Sequence, residues 1–438
     1  MSLPTNRRAF LKRSTTLAAG IAASRFAAPA LQAADANRKL VVGIMGCNGR
    51  GVVHIDAMLG QPNVEIAYIC DVDSRALDKG VQRVAKKQGT APKGVKDFRQ
   101  VLDDKSVDIL TIAAPNHWHA PATILACAAG KHVYVEKPGS HDANESGLMV
   151  AAAAKHQRIV QLGNQRRSAP GIIEGIEKLK AGAIGKVLTA RCWYTRNRPT
   201  IGIGKPAPVP EWLDYTLWQG PAPERPFKDN LIHYNWHWFW HWGNGELGNN
   251  AVHSVDVARW GLAVDVPRKV TFGGGRYRFQ DDQETPDTGV ATFDFGDKFI
   301  TWEQSSSHDR KAEKQSTVCF YGEDGMLSIE GMGYKLYDVK GKETGGWKTS
   351  GEGDTVRGPG GEDDHFANFL DCVRSGKRPN SDIAECQKST MLCHYANIAY
   401  RTGNTLHIDP ATGKIVDNAE AMKLWQRSEY REGWEPKV

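Results

Sequence analysis

The mature part of the chain opens with short, nearly uninterrupted apolar runs. Leu40 to Met45, Val64 to Cys70, Val107 to Ala113, His132 to Val135 and Ile159 to Leu162 carry few polar positions and no alternation. That is the pattern of strands buried on both faces. Helix-like stretches separate them, among them Ser74 to Gln88, Pro121 to Ala129 and Asp142 to His156. Alternating β and α units of this length predict a parallel, doubly wound sheet over residues 37–162.

After Gly163 the pattern changes. Val187 to Arg196, Lys269 to Phe272, Gly289 to Phe295, Lys298 to Glu303, Thr317 to Tyr321 and Met326 to Glu330 alternate apolar and polar residues. Turns such as Gly322-Glu323-Asp324-Gly325 divide them. The expectation is a second α/β domain over 163–438, with a large, open, mostly antiparallel sheet covered on one face. Gly341 to Gly361 is glycine-rich and predicted to be a mobile surface loop, and Asp363 to Arg374 and Ser381 to Arg401 read as two closing helices. An open sheet leaves edges and apolar surface to cover, so a homodimer or homotetramer is expected.

Composition agrees with a two-domain globular protein: 438 residues, 40% hydrophobic and 24% charged. The net charge of +6 suggests a basic protein, but Arg7, Arg8, Lys12, Arg13 and Arg25 supply five of those charges. The remainder is close to neutral, which argues against a nucleic-acid partner. The eight cysteines form no C-x-x-C and no zinc spacing, so buried free thiols are expected and no metal site.

The first 36 residues read as an address. Asn6-Arg7-Arg8-Ala9-Phe10-Leu11-Lys12 precedes the weakly apolar Leu17 to Ala23, with small residues around Ala28-Pro29-Ala30 and Ala33-Ala34. The segment resembles a twin-arginine export signal, which implies the twin-arginine machinery as a partner and a periplasmic or other extracytoplasmic destination. Its apolar stretch is too short to span a bilayer and no longer run follows, so no membrane span is expected.

Candidate chemistry begins at Val42-Gly43-Ile44-Met45-Gly46-Cys47-Asn48-Gly49-Arg50-Gly51, which leaves a strand and enters a helix. Gly46-x-Asn48-x-x-Gly51 is a dinucleotide fingerprint with Asn48 at the central glycine position, where left-handed geometry is expected. Gly49 keeps the turn slim, and the helix starting near Arg50 would offer free N–H groups and its positive dipole end to a pyrophosphate. Asp71 ends the second strand, where an acid binds the adenosine ribose and repels a 2′-phosphate. NAD is therefore expected over NADP, with Arg75 able to soften the preference. Strand, glycine cluster, helix, second strand and acid in register make this a Rossmann domain.

Later strand ends supply Pro115-Asn116-His117-Trp118-His119 and Glu136-Lys137-Pro138. Ligands of such sheets bind beyond the carboxyl ends of strands. Pro115, Asn116, His119, Glu136 and Lys137 are thus expected at the cofactor, with Trp118 and His119 also facing substrate. Lys137 carries two readings, a catalytic ammonium or a salt bridge to Glu136.

Together with Asp71-Val72-Asp73, the run Gly243-Asn244-Gly245-Glu246-Leu247-Gly248-Asn249-Asn250-Ala251-Val252-His253-Ser254-Val255-Asp256 and the tail Phe366 to Arg401, these motifs resemble the glucose–fructose oxidoreductase/inositol dehydrogenase (Gfo/Idh/MocA) family. The resemblance spans essentially the whole mature chain. It implies that Lys137 stands near the nicotinamide and the reacting hydroxyl and that His253 is the acid/base. It also implies a departure, because Asn249 falls where many members carry an aspartate.

The residues support those roles independently. On a helix Asn249, His253 and Asp256 share one face at i, i+4 and i+7. A histidine with a pKa of about 6.5 can take a hydroxyl proton. Lys137 can lower the pKa of that hydroxyl or steady an oxyanion. Asn250 beside them is a further substrate candidate. Asn235-Trp236-His237-Trp238-Phe239-Trp240-His241-Trp242, if extended, would place its tryptophans on one face, with Trp240 stacking on a sugar. Arg166, in Gln165-Arg166-Arg167, could reach hydroxyls or a carboxylate.

Export adds a constraint. The twin-arginine route carries folded proteins into compartments poor in NAD, so the cofactor is expected to be loaded beforehand, retained and regenerated in place. Three functions remain open: a sugar oxidoreductase, a glycoside hydrolase using transient hydroxyl oxidation and elimination, and a non-catalytic cofactor-bound sugar-binding or sensor protein.

Overall fold

The protein is described by a computed structural model over residues 38–348 and 361–438. The export-signal segment and most of the glycine-rich stretch before Gly361 lie outside the described residues.

The first sheet has six parallel strands in the order β3-β2-β1-β4-β5-β6. These are β1 (Leu40–Met45), β2 (Val64–Cys70), β3 (Lys93–Val95), β4 (Ile109–Ile112), β5 (His132–Val135) and β6 (Val160–Leu162). Helices α1 (Arg50–Leu59), α2 (Ser74–Gln88), α3 (Asn116–Ala128) and α4 (Ala143–Lys155) link them. The unbroken apolar runs have a direct cause. Leu40, Val42, Ile44 and Ile109 enter one core, whereas Met45, Leu110, Ile112 and Val133 enter another on the opposite face. Both faces are dry.

The second sheet runs β14-β13-β12-β11-β7-β10-β9-β8-β15-β16. Its strands are β7 (Val187–Thr195), β8 (Lys269–Gly275), β9 (Thr288–Asp294), β10 (Phe299–Ser305), β11 (Val318–Gly322), β12 (Gly325–Glu330), β13 (Gly333–Asp338), β14 (Glu343–Gly346), β15 (Leu406–Ile408) and β16 (Ile415–Val416). The β7–β10 pair is parallel, and the other neighbours are antiparallel. Helices α5 (Pro170–Lys180), α6 (Val252–Leu262) and α8 (Ile383–Thr402) cover one face. Ile172, Val255, Ala258 and Leu392 there meet Cys192, Phe293, Trp302 and Phe320 of the strands.

Three expectations change. Glu343–Gly346, read as loop, pairs with β13 as the edge strand β14. Helix α7 (Glu362–Ser375), assigned to the second domain, packs in space on the first, with Phe366 stacked on Tyr134 at 4.2 Å. Helix α3 starts at Asn116 and carries Pro121 inside it, so the Asn116–His119 run is the helix's opening turn. The eight cysteines are unpaired, all but Cys319 buried. Among the described residues no helix is long and apolar enough to cross a membrane.

Candidate active site

The turn after β1 is shaped by what it lacks. Gly46 and Gly49 have φ of +81° and +47°. A Cβ on Gly46 would stand 2.8 Å from the Ala113 carbonyl, and one on Gly51 would stand 1.9 Å from Gly46 O. Asn48 is not among the left-handed residues, contrary to expectation; it is exposed, and its Oδ1 accepts from Gly49 N at 2.9 Å. No side chain caps α1; Gly51 N and Val52 N turn back to Asn48 O and Gly49 O at 2.8 and 3.2 Å, and the helix's positive dipole end faces an anion in the turn.

Asp71 follows β2 with its carboxylate pinned, Oδ2 accepting from Cys47 N and Oδ1 from Asp73 N, each at 2.9 Å. Arg75 is occupied elsewhere: it pairs with Asp73 at 2.9 Å and lies 3.5 Å over the Trp212 ring. The residue expected to soften NAD selectivity is thus held away from that task. A helix dipole end, a turn with no room for a Cβ and a fixed acid at the second strand end fit a dinucleotide lacking a 2′-phosphate.

Gly46, Asn48, Gly49, Arg50, Asp71, Pro115, Asn116, Trp118, His119, Glu136, Lys137 and Asn249 line one cleft of about 420 Å³ between the domains. Gly51 lies just behind it, packed on Gly46. The charged ends of Arg50 and Glu136 serve the walls. Arg50 Nε donates to Glu136 at 2.8 Å and its Nη1 to Glu362 at 2.9 Å, while His54 Nε2 lies 3.1 Å from Glu136. These partners hold the buried Glu136 carboxyl well below its usual pKa despite its desolvation. His119 turns both ring nitrogens to backbone, 2.6 Å from Pro138 O and 2.8 Å from Ala114 O. Trp118 Nε1 donates to Trp218 O at 3.1 Å and leaves its ring in the wall.

Lys137 does not bridge to Glu136. Its Nζ crosses to the other domain and donates to Asn249 O at 2.8 Å and Asn249 Oδ1 at 3.1 Å. Burial lowers its pKa, opposed by nearby Glu136. Asn249 sits in a π-helical turn, Leu247–Ala251, that runs into α6. Such turns carry a residue more than an α-helical turn and so change which side chains share a face. The expected Asn249–His253–Asp256 face is broken accordingly. Asp256 is buried in an ion pair with Arg167 at 2.8 Å and accepts from Ser389 Oγ at 2.6 Å.

His253 is half-buried, its ring has no hydrogen bond among the described residues, and it does not line the cleft. Burial holds its pKa well below the usual value, and Lys137 and Arg166 act in the same direction. Arg166, likewise outside the cleft lining, keeps Nη1 buried without a partner. Asn250 Nδ2 donates to Glu246, so its amide is turned from the cleft.

The aromatic run is not extended. Asn235–Trp238 is a 3-10 turn, and the four tryptophans diverge. Trp236 lines the cleft stacked on His237 at 3.6 Å, Trp238 and Trp242 are core, and Trp240 lines a different cavity. In place of Trp240 the cleft gains His233, Tyr234 and His237. Tyr234 OH accepts from Arg198 Nη1 at 3.0 Å and from Asn249 Nδ2 at 3.4 Å, and Arg198 is paired with the buried Glu246. Sequence reasoning missed Tyr234. The density of rings just after it was the available signal, but a periodicity argument cannot follow an irregular segment.

This geometry defines a class: a dinucleotide-dependent oxidoreductase whose second domain roofs the cofactor cleft of a Rossmann domain. Family comparison gives the same answer from sequence. The Gfo/Idh/MocA oxidoreductase family matches at residues 40–164 through its NAD-binding Rossmann fold and at residues 198–280 through its C-terminal α/β domain. The chain belongs to this family. A glycosyl hydrolase family 109 protein of Parabacteroides distasonis is 25% identical over 321 residues, 67% of each chain. Levoglucosan dehydrogenase of Pseudarthrobacter phenanthrenivorans is 28% identical over 165 residues, 37% of this chain and 35% of that one. Among solved structures, a levoglucosan dehydrogenase complex with NADH and levoglucosan superposes with a TM-score of 0.67 at 17% identity, covering 84% of this chain and 99% of that one.

Proposed function

We propose that the protein oxidises a hydroxyl of a sugar or sugar derivative with NAD as its cofactor. The observation that carries this reading is the Lys137 amine, fixed by both oxygens of Asn249 at the meeting of the two domains. NAD, when bound along the Gly46–Gly51 turn, supplies the acceptor for the hydrogen leaving the sugar carbon. Two N–H bonds of Lys137 are spent on Asn249, so one position remains for the sugar hydroxyl. Burial favours the neutral amine, whose lone pair takes the hydroxyl proton. His253, its pKa held well below the usual value by burial and by Lys137, stands outside the cleft lining and is the weaker candidate for that proton. The roof supplies the Trp236 ring and polar atoms of Tyr234 and His237 to the sugar.

Net glycoside hydrolysis through transient oxidation is the second reading. It is favoured by the glycosyl hydrolase relative and by Asn249 standing where many family members carry aspartate. The twin-arginine-like segment supports export of the folded, NAD-loaded protein. Thr189, Arg191, Thr301 and Glu303 on the uncovered face of the second sheet, with Val290 and Tyr321 exposed nearby, support a homo-oligomer.

The test is a panel of sugars and glycosides on protein purified with its cofactor, followed at the nicotinamide absorbance and by product analysis. Lys137→Met should retain NAD and lose turnover by about 10²–10⁴-fold. Full activity in that variant would sink the reading. A released aglycone with no change in net redox state selects hydrolysis.

A further inference from the structure

The segment that begins at Lys137 leaves the cleft and, by His141, borders a second cavity of about 240 Å³. Asn244 and Asn397 stand in its lining. Asn244 Nδ2 donates to His141 O at 2.8 Å and Asn397 Nδ2 donates to Asn244 O at 3.0 Å, which fixes both amides. Their Oδ1 atoms are left buried with no donor, although the residues are only 6% and 5% exposed. Arg427 stands in the wall, with Nη1 on His241 O at 3.3 Å, Nη2 on His141 Nδ1 at 3.1 Å and Nε buried without an acceptor.

Arg225 and Arg401 flank the mouth, both exposed, and Arg401 lies 5.2 Å over the Trp240 ring. Neither guanidinium has an ion-pair partner among the described residues. Asp142 is the one acid in the lining, and its two oxygens accept from Glu145 N and Arg427 N, each at 2.9 Å. Burial keeps the lining histidines neutral, His241 near 4 and His394 near 3, so they add no charge at neutral pH. Positive charge at the wall and mouth thus exceeds negative, and two carbonyl acceptors at the floor lack donors.

We propose that this cavity binds a small hydroxylated oxyanion, a sugar acid or a sugar phosphate. The carboxylate or phosphate oxygens accept from the Arg225, Arg401 and Arg427 guanidiniums, and the ligand's hydroxyls donate to Asn244 and Asn397 Oδ1. Neither a neutral sugar nor a bare anion answers both halves of the lining. The site takes no part in the cleft chemistry and stands whether or not that reading holds.

Calorimetry on the NAD-bound protein with glucose 6-phosphate, glucuronate, glucose and inorganic phosphate tests it. At least one of the two anionic sugars should bind about tenfold tighter than glucose and than inorganic phosphate, with affinity falling as salt rises. Which of the two wins identifies the oxyanion. The double variant Arg225→Gln/Arg401→Gln, at exposed positions, should weaken that binding by about tenfold or more while NAD retention and sugar turnover stay unchanged. Unaltered binding in the double variant overturns the proposal. So does glucose or inorganic phosphate binding as tightly as the anionic sugars, or no binding by any probe; in the last case water alone serves the asparagine oxygens.

Discussion

The floor of the cleft is shaped by backbone and its roof by side chains. On the floor Gly46, Gly49 and Gly51 act through the absence of a Cβ, and Asp71 is aligned by backbone N–H groups. In the roof Glu246 is buried beneath Arg198 and Asn250, and Arg198 in turn holds the hydroxyls of Tyr194 and Tyr234. A backbone surface tolerates many side chains pointing away from it and no added atom pointing inward. A side-chain network can be rewired one residue at a time without moving the backbone. On the proposed reading, cofactor recognition belongs to the rigid part and substrate selectivity to the adjustable part.

The sharpest way to break that contrast is Gly51→Ala. The new Cβ would stand 1.9 Å from Gly46 O, an overlap between backbone atoms that only a displacement of α1 relieves. NAD affinity should fall by at least about a hundredfold in calorimetry, because the helix end that meets the pyrophosphate moves. Asn48→Ala, at an exposed position, should stay within about twofold. Comparable losses in the two variants would mean that the turn recognises NAD through side chains after all.

The seam between floor and roof is open to acid. His117 on α3 donates its Nε2–H to Trp218 O at 2.9 Å, lodged between the Trp218 and Trp242 rings. Burial holds His117 near 3, His365 near 4 and His394 near 3. Unfolded, each titrates near 6.5, so in between the unfolded chain binds more protons. Their stabilisation is complete above about pH 6.5 and is lost as pH falls through about 4 for His365 and about 3 for His117 and His394. Glu145, pushed up to about 8 by burial and by Asp142, acts in the opposite sense and offsets one of the three. These four groups together contribute about 3 kcal/mol per pH unit between roughly 6 and 5, and the buried His132, His237 and His241 add to it in the same sense. Urea unfolding across that range should show it, and His117→Asn should flatten it by about one group, near 1.4 kcal/mol per pH unit. A pH-independent midpoint would show that these rings are not neutral in the folded protein.

This contrast also explains what could be read from the chain. Strands such as Val64–Cys70 and helix Ser74–Gln88 follow from local pattern, and the glycine turn follows from local steric need. Lys137 was legible because a strand end fixes it. The π-turn at Leu247–Ala251 was not: an added residue in a helix leaves no mark on apolar periodicity, so the Asn249–His253–Asp256 face was drawn on an α-helix that is absent there. Trp240 failed for a related reason. Alternation locates side chains only on a regular strand, and that segment is a 3-10 turn followed by irregular chain. Helix α7 carried no sign that its Phe366 and Phe369 return to the first domain, because that contact is made across a long sequence separation.

Roof and floor meet at Lys137, and Asn249→Asp sharpens the account of their division of labour. The variant places a negative charge against an amine now held at 3.1 Å from a neutral oxygen. An opposite charge at that range favours the ammonium and raises the Lys137 pKa by about one unit or more. If the neutral amine takes the hydroxyl proton, the rising limb of kcat/KM against pH should move upward by the same amount. The plateau height should change little. A limb that stays put would remove Lys137 from proton transfer and leave the task to His253.

The smallest effect expected is that of Tyr234→Phe, and it probes the roof alone. Tyr234 is 49% exposed, and its hydroxyl links Arg198 to Asn249 at 3.0 and 3.4 Å. Removing one partly solvated hydrogen bond costs about 0.5–1.5 kcal/mol. The ring remains and Arg198 keeps its ion pair with Glu246, so the fold and NAD affinity should not change. A roof that selects substrate predicts a rise in KM of roughly two- to tenfold with kcat nearly constant, since the lost contact is made equally in the ground and transition states. A fall in kcat at constant KM would instead place Tyr234 beside the reacting atoms, and the separation of roof from chemistry would no longer hold.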